Sequence, residues 1–284
     1  MGYGDDLLVT KLASKIKKQF PHRQIVIGKS KNQMAYHSPI YDNNPNISDC
    51  RNLEKNKPIH IIDYHENNRP YINYERTTNT NYVWRKFKPN PGEIYFTKKE
   101  KTDAKNIINQ AIEFWNNTNI KKYEKIIFLE TSSTKVNDKQ FSIKHKNKDW
   151  GMENWQKLIN VLKNDYLVIQ SVHKESKKNL SVFCLENMSF RLACAVLNET
   201  DFYVGPEGGF GHVAAALNKK AVLYFGGWIT PEAIGYDFHE NIYYKHDLSP
   251  CGEYKKLCNH CEEARKAITV DVFLKYIDKI NSTY

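Results

Sequence analysis

Apolar residues along the chain follow two patterns. Short continuous apolar runs predict buried strands, and apolar positions three or four residues apart predict helices with one buried face. The predicted strands cover residues 24–28, 59–63, 94–96, 125–130, 166–170, 182–185, 202–204 and 221–225. The predicted helices cover residues 5–20, 102–116, 153–163, 189–198, 212–217 and 269–280. Residues 65–92 show too little periodicity for an assignment.

Strands and helices alternate, most regularly in the second half of the chain. Such alternation predicts an α/β fold in which helices cover both faces of a parallel sheet. A polar stretch over residues 116–122 interrupts the pattern, so we place a boundary there between domains at 1–118 and 119–284. Ligands bind beyond the carboxyl ends of the strands in such sheets. The loops at this edge are 131–149, 171–179, 205–211 and 226–233.

The charge of the chain favours anionic partners. Its 42 basic and 32 acidic residues give a formal net charge of +10, which suits a nucleotide, a phosphorylated glycan, an anionic lipid or a nucleic acid. No recognised nucleic-acid-binding module accompanies this charge, so we expect no nucleic-acid partner. Neither a membrane-spanning apolar run nor a signal peptide is recognised. We therefore expect a cytoplasmic protein, with peripheral contact to an anionic membrane left open.

One glycine-rich segment follows the strand at 202–204 and precedes the helix at 212–217. It reads Gly205-Pro206-Glu207-Gly208-Gly209-Phe210-Gly211-His212. A strand, a glycine turn and a helix bring backbone N–H groups and the positive end of a helix dipole to an anion, usually a phosphate. Glycine permits close approach and positive φ at such a turn. An ordinary strand-to-helix turn is the alternative, and the flanking Glu207 and His212 favour a binding site.

Three cysteines near the end of the chain follow a Cys-x6-Cys-x2-Cys pattern. They are Cys251, Cys258 and Cys261, with His260 beside the last of them. The Cys-x2-Cys spacing suits a tetrahedral zinc or iron site, in which the histidine would supply the fourth ligand. Free thiols or a disulfide are the alternatives. Any metal bound here would have a structural role.

With these segments placed, the sequence resembles glycosyltransferase family nine, the heptosyltransferase-like enzymes. The glycine-rich segment, continued by Val213-Ala214-Ala215, resembles the family motif Asp-Thr-Gly-Leu-x-His-Leu-Ala-Ala. The stretch from Lys148 to Trp155 is similar to Lys-x-Trp-Pro-x-x-x-Trp, and Gly4-Asp5-Asp6-Leu7 is similar to Gly-Asp-x-Leu. The resemblance covers residues 125–275 well and residues 30–120 poorly.

The resemblance implies a GT-B-like fold of two Rossmann-like domains with parallel sheets. The N-terminal domain would be reduced, because only Met1-Gly2-Tyr3 precede the turn where the family has a full strand. The closing helix would pack back on the first domain. The implied function is inverting transfer of a heptose-type or other hexose sugar from a nucleotide-diphosphate donor, with an ADP-sugar favoured, to a glycan or lipopolysaccharide-like acceptor. Such chemistry requires no metal. A non-catalytic nucleotide- or glycan-binding protein of the same fold is the alternative.

The resemblance also implies roles for individual residues. The donor diphosphate would bind the segment made of Gly208, Gly209, Phe210, Gly211 and His212, and Lys148 would neutralise its charge. Glu207, in place of the family's aspartate, would contact the donor sugar or phosphate, and Glu175 the ribose hydroxyls. Asp5, at the start of the first helix, would act as general base. By residue type alone, Lys148 also suits an exposed surface, Glu175 a charged loop and Asp5 a helix cap. Trp150 and Trp155 are expected to pack in the core.

Overall fold

The computed structural model describes residues 2–64, 69–78, 81–131, 147–172, 178–253 and 258–282. The helices are α1 (Tyr3–Gln19), α2 (Lys98–Thr118), α3 (Met152–Leu162), α4 (Phe190–Asn198), α5 (Gly209–Ala216), α6 (Pro231–Ile234), α7 (Asn259–Ala267) and α8 (Val270–Ser282). The strands are β1 (Gln24–Lys29), β2 (Met34–Ala35), β3 (Ile59–Asp63), β4 (Tyr74–Arg76), β5 (Tyr82–Trp84), β6 (Ile126–Glu130), β7 (Leu167–Val172), β8 (Phe183–Glu186), β9 (Phe202–Pro206), β10 (Lys220–Phe225) and β11 (Glu240–Tyr243). No helix in these ranges is long and apolar enough to cross a membrane.

A six-stranded parallel sheet forms the centre of the second half. Its strand order is β11-β10-β9-β6-β7-β8, and every neighbouring pair runs parallel. From β6 the chain moves outward through β7 and β8, then returns to the other side of β6 with β9. Open parallel sheets bind ligands at such a reversal, outside the carboxyl ends of the strands. The predicted α/β class is confirmed, and the glycine-rich segment, which runs from the end of β9 into α5, lies at the reversal.

One face of this sheet is covered by α3 and α8. Trp150 and Trp155 are fully buried there, with ring centroids 4.9 Å apart in an edge-to-face arrangement. Phe273 of α8 stacks on Trp150 at 4.2 Å. Such pairs add to the stabilisation from apolar burial, so the predicted packing of both tryptophans in the core is confirmed.

The other face of the sheet is covered by α2, α4 and α5, and its apolar layer continues into the first half. Leu7 of α1, Ile25 of β1, Ala104 of α2 and Phe128 of β6 belong to one buried cluster. Helix α2 packs against α4 and against β7 and β8. The boundary between residues 118 and 119 stays a prediction.

A smaller sheet lies in the first half. Strand β1 pairs in parallel with β3 and antiparallel with β2, and β4 and β5 form a separate antiparallel hairpin. The sequence did not predict this hairpin, because each strand is only three residues long and offers too few positions to establish a period. Helix α7 and the short edge strand β11 were missed too; in β11 only Ile242 is buried.

The strand predicted over residues 94–96 is wrong. Ile94 and Phe96 are partly buried against the core, but the segment joins no sheet among the described residues. The following helix begins at Lys98, earlier than its apolar pattern indicates, because Thr97 and Glu100 form a reciprocal capping box. The backbone N–H of Glu100 donates to Oγ1 of Thr97 at 3.1 Å, and the N–H of Thr97 donates to Oε2 of Glu100 at 2.8 Å. This capping stabilises the first turn of α2.

Candidate active site

The N-termini of α1 and α5 meet at the reversal in the large sheet. A Cβ atom on Gly4 would lie 3.1 Å from Cδ2 of His212 and 3.2 Å from Cα of Gly209. The ring of Tyr3 stacks on that of Phe190, at the start of α4, with centroids 4.7 Å apart. The opening turn of α1, which carries Asp5, is therefore packed directly against the glycine-rich segment, although about 200 residues separate these parts in the sequence.

The glycine-rich segment leaves the N-terminal end of α5 accessible to an anion. Gly208 is the N-cap and has no side chain to occupy the first turn. The first backbone N–H groups of a helix have no partner inside it, and the helix dipole adds partial positive charge there. This end of α5 is therefore suited to bind phosphate oxygens.

Close packing explains the glycines of this segment. A Cβ atom on Gly205 would clash with the side chain of Tyr203, and one on Gly211 would lie 3.2 Å from Cδ2 of Leu223. Left-handed φ is not what the segment requires of its glycines: Gly208 has φ of 164°, which is extended backbone. The described glycines with φ in the left-handed region are Gly151 and Gly252, both outside the segment.

Lys148 and Glu207, two of the predicted donor-binding residues, form an ion pair beside the glycine-rich segment. The Nζ atom of Lys148 lies 2.8 Å from Oε2 of Glu207, and the side chains are 18% and 9% exposed. The same ammonium lies 4.5 Å from the ring centroid of Trp228, a distance at which a cation and an indole ring attract each other. The structure thus holds a partly buried cation where the sequence predicted a phosphate contact.

The backbone on both sides of Lys148 is fixed by packing. Trp150 donates its indole N–H to the carbonyl of Ile268 at 2.7 Å. Gly151 starts α3 with φ of 96°, a conformation that side-chain-bearing residues rarely adopt. On the other side, a Cβ on Gly226 would clash with the carbonyl of Asn147. These contacts fix the backbone position from which the Lys148 side chain extends.

His212 is buried at the end of the first turn of α5. Its Nδ1 atom lies 3.0 Å from the hydroxyl of Tyr236. Burial lowers the pKa of His212, so the ring is neutral near pH 7. It can offer a hydrogen bond to a ligand but no positive charge, which leaves the charge contribution to Lys148.

Asp5 lies in the first turn of α1 and is held by residues that the sequence did not single out. The hydroxyl of Tyr71 donates to its Oδ1 at 2.6 Å, and Nε of Arg69 lies 4.0 Å from the same oxygen. The backbone N–H of Gly2 donates to Oδ2 at 3.3 Å. Gly2, not Asp5, is the N-cap of α1. The carboxylate is thus oriented from both sides and keeps 22% of its side chain exposed.

Asp6 has different surroundings. It accepts hydrogen bonds from the Ser38 hydroxyl at 2.8 Å and the Tyr64 hydroxyl at 3.2 Å. Burial raises the pKa of Asp6 above its ordinary value. Both partners belong to the first half of the chain, so Asp6 fastens α1 to the loop after β2 and to the end of β3.

The β4–β5 hairpin is part of the wall near the site. Tyr82 and Trp84 stack with centroids 5.2 Å apart, and Trp84 meets Trp228 edge-to-face at 4.8 Å. The backbone N–H of Tyr82 donates to the carbonyl of Gly252 at 3.0 Å. Sequence reasoning missed this hairpin together with Arg69 and Tyr71. The available signal was the density of tyrosine and arginine over residues 65–92.

Glu130, at the carboxyl end of β6, is a buried acid next to the glycine-rich segment. Its Oε2 accepts a hydrogen bond from the Tyr203 hydroxyl at 3.3 Å. Burial raises the pKa of Glu130 from 4.5 to about 8. Because the folded-state pKa is the higher one, the stability from this group is complete below about pH 4.5 and is lost as the pH rises towards 8.

We expect Glu130→Gln to flatten the pH dependence of unfolding between pH 5.5 and 7.5. In this range Glu130 lowers the free energy of unfolding by about 1.4 kcal/mol per pH unit, and an uncharged amide of equal size removes that dependence. Thermal unfolding of both proteins at several pH values measures the difference. Glu113→Gln, an exposed change on α2, serves as the control. Parallel pH profiles for wild type and Glu130→Gln would contradict the expectation.

The cysteine pattern comes together as a compact cluster. Ligand atoms of Cys251, Cys258, His260 and Cys261 all lie within 4.8 Å of one another. The Sγ atoms of Cys251 and Cys261 are 3.6 Å apart, and Sγ of Cys258 lies 3.1 Å from Nδ1 of His260. Zinc–sulfur bonds of about 2.3 Å in a tetrahedron place sulfur atoms about 3.8 Å apart. The four residues therefore fit a tetrahedral metal ion.

One predicted donor contact cannot be placed. Glu175 lies outside the described residues, as do residues 132–146 of the predicted loop after β6. Its role at the ribose hydroxyls stays a prediction.

Comparison with known proteins gives a family match in the second half of the chain. Residues 126–235 match the model of glycosyltransferase family 9 (heptosyltransferase). This range includes Lys148, Glu207 and the whole glycine-rich segment. No curated protein sequence matches the chain.

Several solved structures are similar to the chain. A family 9 glycosyl transferase from Veillonella parvula shares 13% identity with a TM-score of 0.59, over 100% of this chain and 95% of that one. The iron-containing dodecameric glycosyltransferase TibC from enterotoxigenic E. coli shares 15% identity (TM-score 0.44) over 58% of this chain and 48% of that one. The E. coli heptosyltransferase WaaC, solved with ADP-2-deoxy-2-fluoro heptose, shares 17% identity (TM-score 0.37) over 60% and 47%.

The chain thus spans about half the length of TibC and WaaC. The Veillonella structure, which it matches over its full length, shows the same fold. Together with the family match, this confirms the GT-B-like fold class expected from the sequence. Residues 126–235 match glycosyltransferase family 9, the family that the motifs around Lys148 and Glu207 resemble.

Proposed function

We propose that the protein is an inverting glycosyltransferase that uses a nucleotide-diphosphate sugar. The observation that carries the proposal is the contact between the starts of α1 and α5, at Gly4, Gly209 and His212. It places a hydrogen-bonded carboxylate, Asp5, beside a helix N-terminus suited to a diphosphate. A base and a leaving-group site next to each other are what displacement at a sugar carbon needs.

The donor diphosphate would bind the N-terminus of α5 and Lys148. Backbone N–H groups of α5 would donate to phosphate oxygens, and the lysine would neutralise the charge that grows on the leaving nucleoside diphosphate. Glu207 holds the ammonium 2.8 Å from its carboxylate. In this arrangement Glu207 positions Lys148 and reaches the donor sugar or phosphate from the same side.

Asp5 would act as the general base. As the acceptor hydroxyl oxygen bonds to the anomeric carbon, its proton passes to the Asp5 carboxylate, and the bond from that carbon to the diphosphate oxygen breaks. Attack from the side opposite the leaving group inverts the configuration. Tyr71 and Arg69, at 2.6 Å and 4.0 Å from Oδ1, orient the carboxylate.

The finer assignments extend from the family match. We propose an ADP-sugar of the heptose or hexose type as donor, with Glu175 on its ribose, and a glycan or lipopolysaccharide-like acceptor. The reaction would take place in the cytoplasm, with peripheral contact to an anionic membrane. No step of this reaction passes through a metal ion.

The cysteine cluster would hold a structural zinc or iron ion. Cys251, Cys258, Cys261 and His260 supply three sulfurs and one nitrogen, the ligands that these metals accept in tetrahedral sites. When bound, the ion would join the segment around Cys251 to α7 and so stabilise the second half of the chain.

Isothermal titration calorimetry with ADP, UDP, GDP and their sugars tests donor binding. We expect one nucleotide series to bind, and Lys148→Met to weaken its affinity by about tenfold or more through loss of a charge-assisted contact with phosphate. Lys157→Met is the matched control, because Lys157 is 61% exposed and pairs with Glu153 on α3. It should change affinity by less than about twofold. Absence of binding by every nucleotide and nucleotide sugar would overturn the proposed function.

A further inference from the structure

A cavity lies where the loop after β2, in the first half of the chain, meets α4 of the second half. It has a volume of about 730 Å³ and is lined by the loop over residues 36–51, by Thr97 and Glu100 at the start of α2, and by Arg191 of α4. Small-molecule sites typically measure about 300–1,000 Å³. None of the donor-binding residues belongs to its lining.

Both arginines of this cavity are already paired. Nε of Arg51 lies 2.8 Å from Oδ1 of Asp49, and Nη2 lies 3.9 Å from Oδ1 of Asp42. Arg191 forms a bidentate pair with Glu100 at 2.6 and 2.9 Å. The lining thus sets three carboxylates against two guanidinium groups, a formal excess of one negative charge. A phosphate or carboxylate would have to displace an existing carboxylate partner.

Uncharged hydrogen-bonding groups complete the lining. Asn44 is only 5% exposed, and its Nδ2 has no hydrogen-bond partner in the described part of the chain. Its Oδ1 accepts from the backbone N–H of Asn46 at 2.9 Å, which fixes the amide. A buried donor without a partner costs stability, and the uncharged groups of the lining that are more accessible to a ligand are those of Asn43, Ser48 and Thr97. Tyr36 and Tyr41 supply aromatic rings in the same lining.

The cavity is connected to both parts of the proposed active site. Burial and the nearby Asp6 carboxylate raise the pKa of the Tyr41 hydroxyl, so this lining residue lies near the first turn of α1. Arg191 follows Phe190, whose ring would lie 3.4 Å from a Cβ on Gly209. The cavity therefore lies near the starts of α1 and α5, and its lining includes none of the proposed donor-binding residues.

We propose that this cavity binds an uncharged, hydroxyl-rich sugar unit of the acceptor. Carboxylates and an amide exchange hydrogen bonds with sugar hydroxyls, and aromatic rings pack against the apolar faces of pyranoses. The paired arginines disfavour an anionic sugar. That the sugar belongs to the acceptor rests on the proposed transferase function. The chemistry of the ligand rests on the cavity lining alone.

Saturation-transfer NMR tests the inference with the methyl glycosides of glucose, galactose and mannose, and with methyl glucuronide as the anionic counterpart. We expect signal from at least one neutral glycoside and much weaker signal from the glucuronide. The double variant Asp42→Asn with Asp49→Asn releases Arg51 from both carboxylates. It should shift the preference towards the glucuronide by about tenfold, because a free guanidinium binds a carboxylate strongly.

A matched double variant on α2, Asp103→Asn with Glu113→Gln, removes the same charge away from the cavity and should leave the preference unchanged. Ser48→Phe fills the cavity and should abolish the neutral signal if the first double variant does not fold. Absence of signal from all three neutral glycosides, or an unchanged preference in a folded Asp42→Asn, Asp49→Asn protein, overturns the cavity inference. In that case ADP binding in calorimetry would leave the transferase proposal standing. Glycoside binding without any nucleotide binding would support the cavity inference and contradict the transferase proposal.

Discussion

Asp5→Asn is expected to lower the rate of sugar transfer by about 10²–10⁴-fold, the usual contribution of a general base. Asparagine has the size of aspartate and can still accept the hydrogen bond from Tyr71, but it cannot take the proton of the acceptor hydroxyl. Donor affinity should change by less than about twofold, since the diphosphate is held by α5 and Lys148. The measurement is release of nucleoside diphosphate from the nucleotide sugar that binds in calorimetry, with a panel of glycan acceptors.

Asp6→Asn is the matched control for this prediction. It makes the same change one residue later in α1, at a carboxylate that Ser38 and Tyr64 already engage. We expect a lower melting temperature from weaker fastening of α1, and a rate within about tenfold of wild type. If Asp6→Asn abolishes transfer and Asp5→Asn does not, the base is wrongly assigned. If the wild type binds nucleotide sugars and transfers nothing, the chain is a binding protein of this fold.

Removal of metal from the cysteine cluster is expected to destabilise the protein and weaken donor binding together. For metal at 1,000 times its dissociation constant, linkage gives about 4 kcal/mol of stability, equivalent to roughly 8–16 °C in melting temperature. The segment around Cys251 is also hydrogen-bonded to residues near the proposed donor site. The N–H of Cys251 donates to the carbonyl of Gly227 at 2.9 Å, and the N–H of Gly252 donates to the carbonyl of Trp228 at 3.2 Å. Trp228 in turn lies under the Lys148 ammonium.

Elemental analysis of the purified protein, thermal unfolding and calorimetry with ADP measure these effects before and after chelation. Cys258→Ser should bind no metal, melt at a lower temperature and bind ADP more weakly. Cys184→Ser, a change at a half-buried cysteine of β8 outside the cluster, should retain all three. A purified protein with no zinc or iron, unaffected by Cys258→Ser, would show that the cluster consists of free thiols.

The glycine-rich part of the proposed donor site was predictable because its residues are consecutive in sequence and carry a pattern. Strand β9, the glycine-rich segment and α5 follow one another without a break, so local order already sets their geometry. Even here the physical reason differed in detail: Gly205 is required by the Tyr203 side chain and not by positive φ.

The surroundings of Asp5 were less predictable because their contacts are distant in sequence. Tyr71 and Arg69 reach Asp5 from a stretch with no period, and the two strands of the hairpin are too short to show alternation. The pairing of Lys148 with Glu207 joins two loops of the large sheet, which no local pattern connects. Such contacts arise from tertiary packing, and single-sequence periodicity carries no record of them.

The contact between Gly4 and Gly209 has a consequence for biosynthesis. About 200 residues separate the two helix starts that meet there, so the first turn of α1 emerges from the ribosome long before its partner exists. At elongation rates of about 5–20 residues per second, roughly 10–40 s pass between the synthesis of Asp5 and that of α5. A nascent chain halted before Pro206 holds the proposed base but lacks Glu207 and α5, so the proposed donor site is completed only late in translation.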